Sequence, residues 1–349
     1  MTLKGRGAQI QTHNKFLAHK RVLEHVEGLD EESDEKFNTV FLVENAKTIV
    51  NQVTSPDVGM VYSSNPYQGC EHGCVYCYAR NTHEYYGLSA GIDFESKIMV
   101  KQNAPELLRK FFDHPKWTPQ PISFSGNTDC YQPAERKFGI TRQLLHICLE
   151  YGNPMSIITK NALVLRDTDI LQELAKKKLA HVNVSITSLL EETRQKLEPR
   201  TATAKRRLQV LEDLSKLGIP TRVMAAPMIP FINSFELPKI MQAAADHGAV
   251  DAGYTFVRLN GSIGEIFTDW IKQQFPDQAD RVLSNIKNGH NGKLNDSRFG
   301  TRMRGEGEMA DIIGQQFKQL RIRLFKDKGI PDYDYSVFRR PDKGQLSMF

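Results

Sequence analysis

Long apolar runs are missing from this 349-residue chain. No stretch approaches the ~20 consecutive apolar residues that cross a bilayer, so a membrane-spanning protein is not expected. The opening residues Met1 to Gly7 lead into Gln, Thr, His and Asn rather than into an apolar segment, which argues against a secretory signal. Cysteine is scarce and odd in number: Cys70, Cys74, Cys77, Cys130 and Cys148. That count, with three thiols bunched together, argues against a disulfide framework and for a reducing, cytoplasmic setting. Internal repeats and low-complexity segments are absent as well, which sets aside solenoids and flexible tracts.

Net charge is only +5, but it is unevenly placed. Residues 1–21 carry Lys4, Arg6, Lys15, Lys20 and Arg21 and no acid, whereas Glu27, Asp30, Glu31, Glu32, Asp34 and Glu35 follow as an acidic stretch. Residues 293–349 carry twelve Lys/Arg against eight Asp/Glu. Basic ends suit a polyanion such as nucleic acid, and equally suit a solvated surface.

Three regions are expected: residues 1–57 as a polar arm and connector without regular structure, 58–261 as a β/α core, and 262–349 as a C-terminal helical extension with a basic tail. Within the core, β-type runs at 59–64, 97–101, 121–126, 155–160, 181–187, 220–226 and 253–259 are rich in Val, Ile, Thr and aromatics. Helical patterns lie between them at 104–113, 140–151, 164–178, 203–217 and 235–247. In 203–217 the recurrence of Leu208, Leu211, Leu214 and Leu217 predicts one buried face, and Gly218-Ile219-Pro220 predicts its end. Such alternation implies right-handed crossovers and a parallel sheet. Six units suit a partial (β/α)6 barrel better than a closed eightfold one, with 262–328 as helices packed across it.

The sharpest feature is Asn65-Pro66-Tyr67-Gln68-Gly69-Cys70-Glu71-His72-Gly73-Cys74-Val75-Tyr76-Cys77-Tyr78. Four thiolates would close a structural zinc site or saturate an iron–sulfur cluster. Three, spaced C-x3-C-x2-C in a glycine-bearing loop, leave one position of a 4Fe–4S cluster open to a substrate or cofactor. The alternative is a zinc site completed by His72 or a distant residue. His72 itself reads as a loop residue, and Cys148 as core.

This motif, with aromatic Tyr76 before the third cysteine, resembles that of radical S-adenosylmethionine (SAM) enzymes. The wider frame is similar to the spore photoproduct lyase-like (DNA repair photolyase-like) group. Residues 65–80, 126–133, Thr159-Lys160, 184–187 and 197–201 carry that likeness, and 296–307 resembles a bacterial subgroup of it. The resemblance implies a 4Fe–4S cluster on Cys70, Cys74 and Cys77. It further implies reductive cleavage of SAM to a 5′-deoxyadenosyl radical, which abstracts hydrogen from a nucleic-acid or nucleotide-like substrate. A flavodoxin or ferredoxin is the implied reductant. Two other readings stay open: the same radical acting on a protein or small molecule, and a non-catalytic cluster protein that binds nucleic acid.

The resemblance also assigns residues. Thr128 and Asp129 fall where the SAM amine is met, the alternative being an Asx turn after a strand. Ser185 falls on the strand facing the ribose or carboxylate, and Arg207 resembles the arginine that pairs with the SAM carboxylate, with Arg206 the adjacent register. Tyr76 is placed with the cofactor, and Lys160, Glu198 and Arg200 at the barrel mouth without a role. Cys130 matches a strand-end cysteine that returns hydrogen to a product radical, with packing as the alternative. Residues Arg298 to Arg304, with three arginines and Phe299, are expected to contact an anionic substrate; otherwise those arginines pair with Glu306 and Glu308 on a surface loop.

Overall fold

The computed structural model describes residues 3–16 and 38–341. Lys20, Arg21 and the acidic stretch 27–35 lie outside the described residues, as does the end of the basic tail from 342. Among the described residues ten strands form two sheets: β1 (Val40–Val43), β2 (Val50–Gln52), β3 (Tyr62–Ser64), β4 (Tyr67–Gln68), β5 (Lys97–Val100), β6 (Ile122–Phe124), β7 (Met155–Thr159), β8 (Ala180–Ser185), β9 (Thr221–Met228) and β10 (Asp251–Phe256). The main sheet runs β2-β3-β6-β7-β8-β9-β10. Its last six strands are mutually parallel and follow chain order, while β2 pairs antiparallel on β3. Chain order with parallel neighbours is the order of a barrel wall. The wall is open, ending at β2 on one side and β10 on the other.

Two strands lie in the region expected to lack regular structure. β2 extends the main sheet, and β1 pairs parallel with β5 in a small sheet ordered β1-β5-β4. Val40-Phe41-Leu42-Val43 is a run of strong strand formers, but the polar composition around it hid the signal. The 97–101 strand exists and belongs to this small sheet rather than to the barrel wall.

Crossover helices Ala104–Asp113, Ile140–Tyr151, Thr168–Lys176, Ala204–Lys216 and Leu237–Asp246 bury their apolar faces on the sheet. In Ala204–Lys216 the buried stripe is Ala204, Arg207, Val210, Leu211 and Leu214, whereas Leu217 is 37% exposed. A strict three-residue repeat drifts off a 3.6-residue face, so Leu217 turns to solvent as the helix ends. Gly218, at φ +72°, closes that end, with its amide donating to Ser215 O at 2.9 Å.

After β10 come helices Ile263–Gln274, Ala279–Asn288 and Glu308–Phe325. The first two form a second apolar cluster with Cys74, Val75 and Tyr76, so the extension walls the cysteine loop. The third packs on Leu237–Asp246 and β10. Residues 289–307, expected as part of this helical region, hold no helix.

Candidate active site

The cysteine loop follows β3 and β4 at the end where the parallel strands finish. Gly69 and Gly73 take φ of +83° and +70°. A Cβ on Gly69 would lie 2.9 Å from Lys97 O, and one on Gly73 2.8 Å from a Glu95 carboxylate oxygen. Only glycine fits either turn, which is why the loop can fold back on itself.

A buried ion pair braces one side. Arg80 and Glu95 are both without exposure and pair at 2.6 Å. Arg80 also donates to the carbonyls of Cys74 (2.9 Å), Ala90 (3.2 Å) and Gly91 (3.1 Å). Glu95 accepts the amides of Gly7 (3.1 Å) and Ala8 (2.8 Å), so the N-terminal segment lies directly against the loop. Nothing in the composition of that segment pointed to this contact, although Arg80 sits inside the motif.

A second buried pair braces the other side. Glu198 accepts from Arg207 Nη2 at 2.5 Å, from Thr187 Oγ1 at 2.6 Å and from the Tyr76 hydroxyl. Arg207 donates further to Ser185 O (2.8 Å), Ala202 O (2.8 Å) and Thr201 Oγ1 (2.5 Å). Burial pushes the Glu198 carboxyl up, but the charges of Arg207 and Lys160 and the hydroxyls of Thr187 and Tyr76 outweigh it and hold it at about 2. Glu198, placed at the mouth without a role, is thus the group that ties Tyr76 to Arg207. Arg206 is exposed.

Asp129 forms the Asx turn, accepting Tyr131 N at 2.9 Å. It also accepts Thr159 Oγ1 (2.9 Å) and Lys160 N (2.7 Å), and lies 3.4 Å from His72 Nδ1. Thr128 Oγ1 donates to Tyr67 O at 2.5 Å. Asn161 Oδ1 accepts Leu163 N, so its amide donates to His72 Nε2 at 3.2 Å and leaves the ring proton on Nδ1. Burial draws His72 down to about 4, against the pull of Asp129, and the ring is neutral. Cys130 has no exposure and packs in the main core, as does Cys148. Lys160 Nζ lies 6.0 Å from the Tyr76 ring centre. The 298–304 segment meets the end of β10, where Phe256 N donates to Met303 O at 2.9 Å. Arg298 pairs with Asp296 and Glu306, and Arg302 with Asp57.

Cys70, Cys74 and Cys77 are free thiols, the first two buried among apolar neighbours that include Phe94, Ala79, Val75 and Leu197. Burial pushes all three thiols above their ordinary value, so their thiolates require a cationic centre beside them. Among the described residues, no three His, Cys, Asp or Glu side chains converge as ligands of one metal ion. A four-iron cluster takes each thiolate on a different iron and needs no such convergence, so this donor set fits it.

The chain belongs to the radical SAM superfamily, whose family model matches residues 64–244. It is an α/β protein of that type, with a mostly parallel sheet. An uncharacterized protein of Mycobacterium tuberculosis is 30% identical over 230 residues, covering 65% of this chain and 68% of the relative. One of Methanocaldococcus jannaschii is 28% identical over 240 residues, covering 69% and 85%. The fold is similar to that of spore photoproduct lyase complexed with dinucleoside spore photoproduct: TM-score 0.62, 15% identity, 86% of this chain and 85% of that one. A substituted form of that lyase with bound AdoMet and the dinucleoside has a TM-score of 0.61 at 15% identity and the same coverage. No helix among the described residues is long and apolar enough to cross a membrane.

Proposed function

We propose that Cys70, Cys74 and Cys77 hold a 4Fe–4S cluster that cleaves SAM reductively, and that the substrate is a nucleic acid or nucleotide-like molecule. The observation that carries this is a three-thiol loop, braced by two buried ion pairs, at the C-terminal end of six parallel strands laid in barrel order. Once bound and reduced, cluster and SAM together supply a 5′-deoxyadenosyl radical that abstracts hydrogen. Three thiols in the loop leave one iron of a four-iron cluster without a protein thiolate, which favours an open catalytic cluster over a closed structural one.

The chain's own residues position and shield. Tyr76, Thr128, Asp129 and Ser185 are assigned to the wall against which SAM lies. Arg207, whose guanidinium is committed to Glu198, Thr201 and two carbonyls, braces that wall rather than reaching past it. A hydrogen-donor role for Cys130 requires its thiol to leave the core, and Cys130→Ser is the variant that tests it. The likeness in fold to a lyase complexed with a dinucleoside supports the substrate class. The reductant is assigned as a flavodoxin or ferredoxin, and the setting as cytoplasmic.

The test is anaerobic reconstitution followed by SAM and dithionite. Wild type should retain iron and sulfide and release 5′-deoxyadenosine. The triple Cys70→Ala, Cys74→Ala, Cys77→Ala variant should do neither. Full iron content in that variant would refute the assignment.

A further inference from the structure

An ion pair joins the two ends of the open sheet. Arg302, held beside β10 by the Phe256–Met303 bond, reaches Asp57 in the connection between β2 and β3. It donates twice, Nε to Oδ2 at 2.7 Å and Nη2 to Oδ1 at 2.5 Å. Both Asp57 oxygens thus accept from Arg302, and both side chains are close to nine-tenths buried.

Arg258 stands in the same seam, two residues past the end of β10. It is near enough to Arg302, Asp57 and Tyr78 to interact electrostatically with all three. Its backbone is pinned: Val257 N donates to Met228 O at 3.0 Å and Leu259 N to Leu294 O at 2.9 Å. The side chain is half-buried and has no hydrogen bond or salt bridge among the described residues. Its five N–H donors therefore have no acceptor among the described residues, and Asp57, the acid that acts on it, already serves Arg302. Asp57 therefore stands in the field of two arginines while bonding only Arg302. The seam also borders the cluster loop, because Tyr78 directly follows Cys77 and its hydroxyl donates to Gly126 O at 2.6 Å. Phe299 lies beside it, 59% exposed, with the Arg302 guanidinium 4.5 Å from its ring centre.

We propose that Arg258 takes a phosphate of a nucleotide-containing substrate, with the exposed Phe299 ring as the stacking surface for a base. The planar fork of arginine matches two phosphate oxygens, and an aromatic next to it is the pairing that single-stranded nucleic acid uses. This rests on the nucleotide-like substrate proposed above and gives that substrate a place in the fold.

The test measures fluorescence anisotropy of a fluorescein-labelled single-stranded oligodeoxynucleotide with the reconstituted full chain across a salt series. Arg258→Gln should weaken binding at least about tenfold. The slope of log affinity against log salt should become shallower by about 0.7, one phosphate contact. Arg258→Lys should keep the slope but recover only part of the affinity, while the remote Lys216→Gln should change neither. Phe299→Ala should weaken the oligonucleotide several-fold without altering competition by inorganic phosphate. If Arg258→Gln does not fold, that exposed Phe299 variant carries the test, and an unchanged affinity there overturns the proposal. It is also overturned if wild type binds no oligonucleotide, or if Arg258→Gln binds as wild type at equal iron content. Displacement by inorganic phosphate at an equal phosphate concentration would make the seam a free-phosphate site and overturn the nucleotide assignment. A wild type that binds oligonucleotide but releases no 5′-deoxyadenosine would instead overturn the radical SAM reading, leaving Arg258 as a binding residue.

Discussion

Arginine is used in opposite ways at the cysteine loop and at the seam between β2 and β10. At the loop, Arg80 and Arg207 are buried, and each guanidinium bonds a glutamate and at least two backbone carbonyls. At the seam, Arg302 bonds one aspartate and the half-buried Arg258 bonds nothing among the described residues. An arginine whose donors are satisfied inside the protein is scaffold. One held in place without an acceptor is disposed to receive an anion from outside. The loop is thus built to stay fixed around its thiols, and the seam to accept something.

The largest effect should come from the loop. Arg80→Ala leaves the Glu95 carboxylate buried without its cation, which costs about 3–5 kcal/mol. Thermal unfolding of the anaerobically reconstituted protein should show that loss together with reduced iron content. A melting temperature within a degree or two of wild type would erase the contrast between the two regions.

Glu198→Gln should come next, costing about 2 kcal/mol at neutral pH because Arg207 loses its counter-charge while a hydrogen bond survives. Its pH dependence has a definite sign. The Glu198 carboxyl titrates at about 2 in the folded protein, below the ordinary value of ~4.3. Its contribution is therefore whole above that ordinary value and is lost as the pH falls toward 2. Urea midpoints of variant and wild type should converge across this window. A gap that stays constant with pH would show that Glu198 acts by packing rather than by charge.

At the seam the structural effects shrink. Asp57→Asn should cost about 1–2 kcal/mol, since the amide keeps a hydrogen bond to Arg302 but not its counter-charge. It should tighten oligonucleotide binding by freeing Arg302 for the same anion, as anisotropy would show. Weaker binding would mean that Asp57 orients the site rather than neutralising it. Arg298→Ala, whose partners Asp296 and Glu306 are its near neighbours in sequence, should leave melting and binding alike unchanged. A loss of binding there would move the contact surface outward along the loop.

The six-strand parallel order, the crossover helices and the thiol loop were all legible in the sequence, because each depends on a local pattern: β-branched runs, helical periodicity, cysteine spacing. What escaped depends on long-range pairing. Glu95 meets residues 7 and 8, and Arg302 meets Asp57, 245 residues away in the chain. No periodicity marks either contact. Arg207 was singled out from the sequence, but its partner Glu198 could be placed only as a mouth residue. Arg258 lies inside a run that reads as strand, and the absence of a partner that distinguishes it is visible only in three dimensions. The 298–304 segment divides between the two readings offered for it. Arg298 sits in surface pairs, while Arg302 and Phe299 flank the seam.

The most direct test of the account is the electron paramagnetic resonance spectrum of the reduced, reconstituted protein recorded without and with SAM. A 4Fe–4S cluster held by three thiolates with one open coordination position should give a signal whose shape changes when SAM is added. The triple Cys70→Ala, Cys74→Ala, Cys77→Ala variant should give none. A signal indifferent to SAM, or one that survives in the triple variant, would contradict the account.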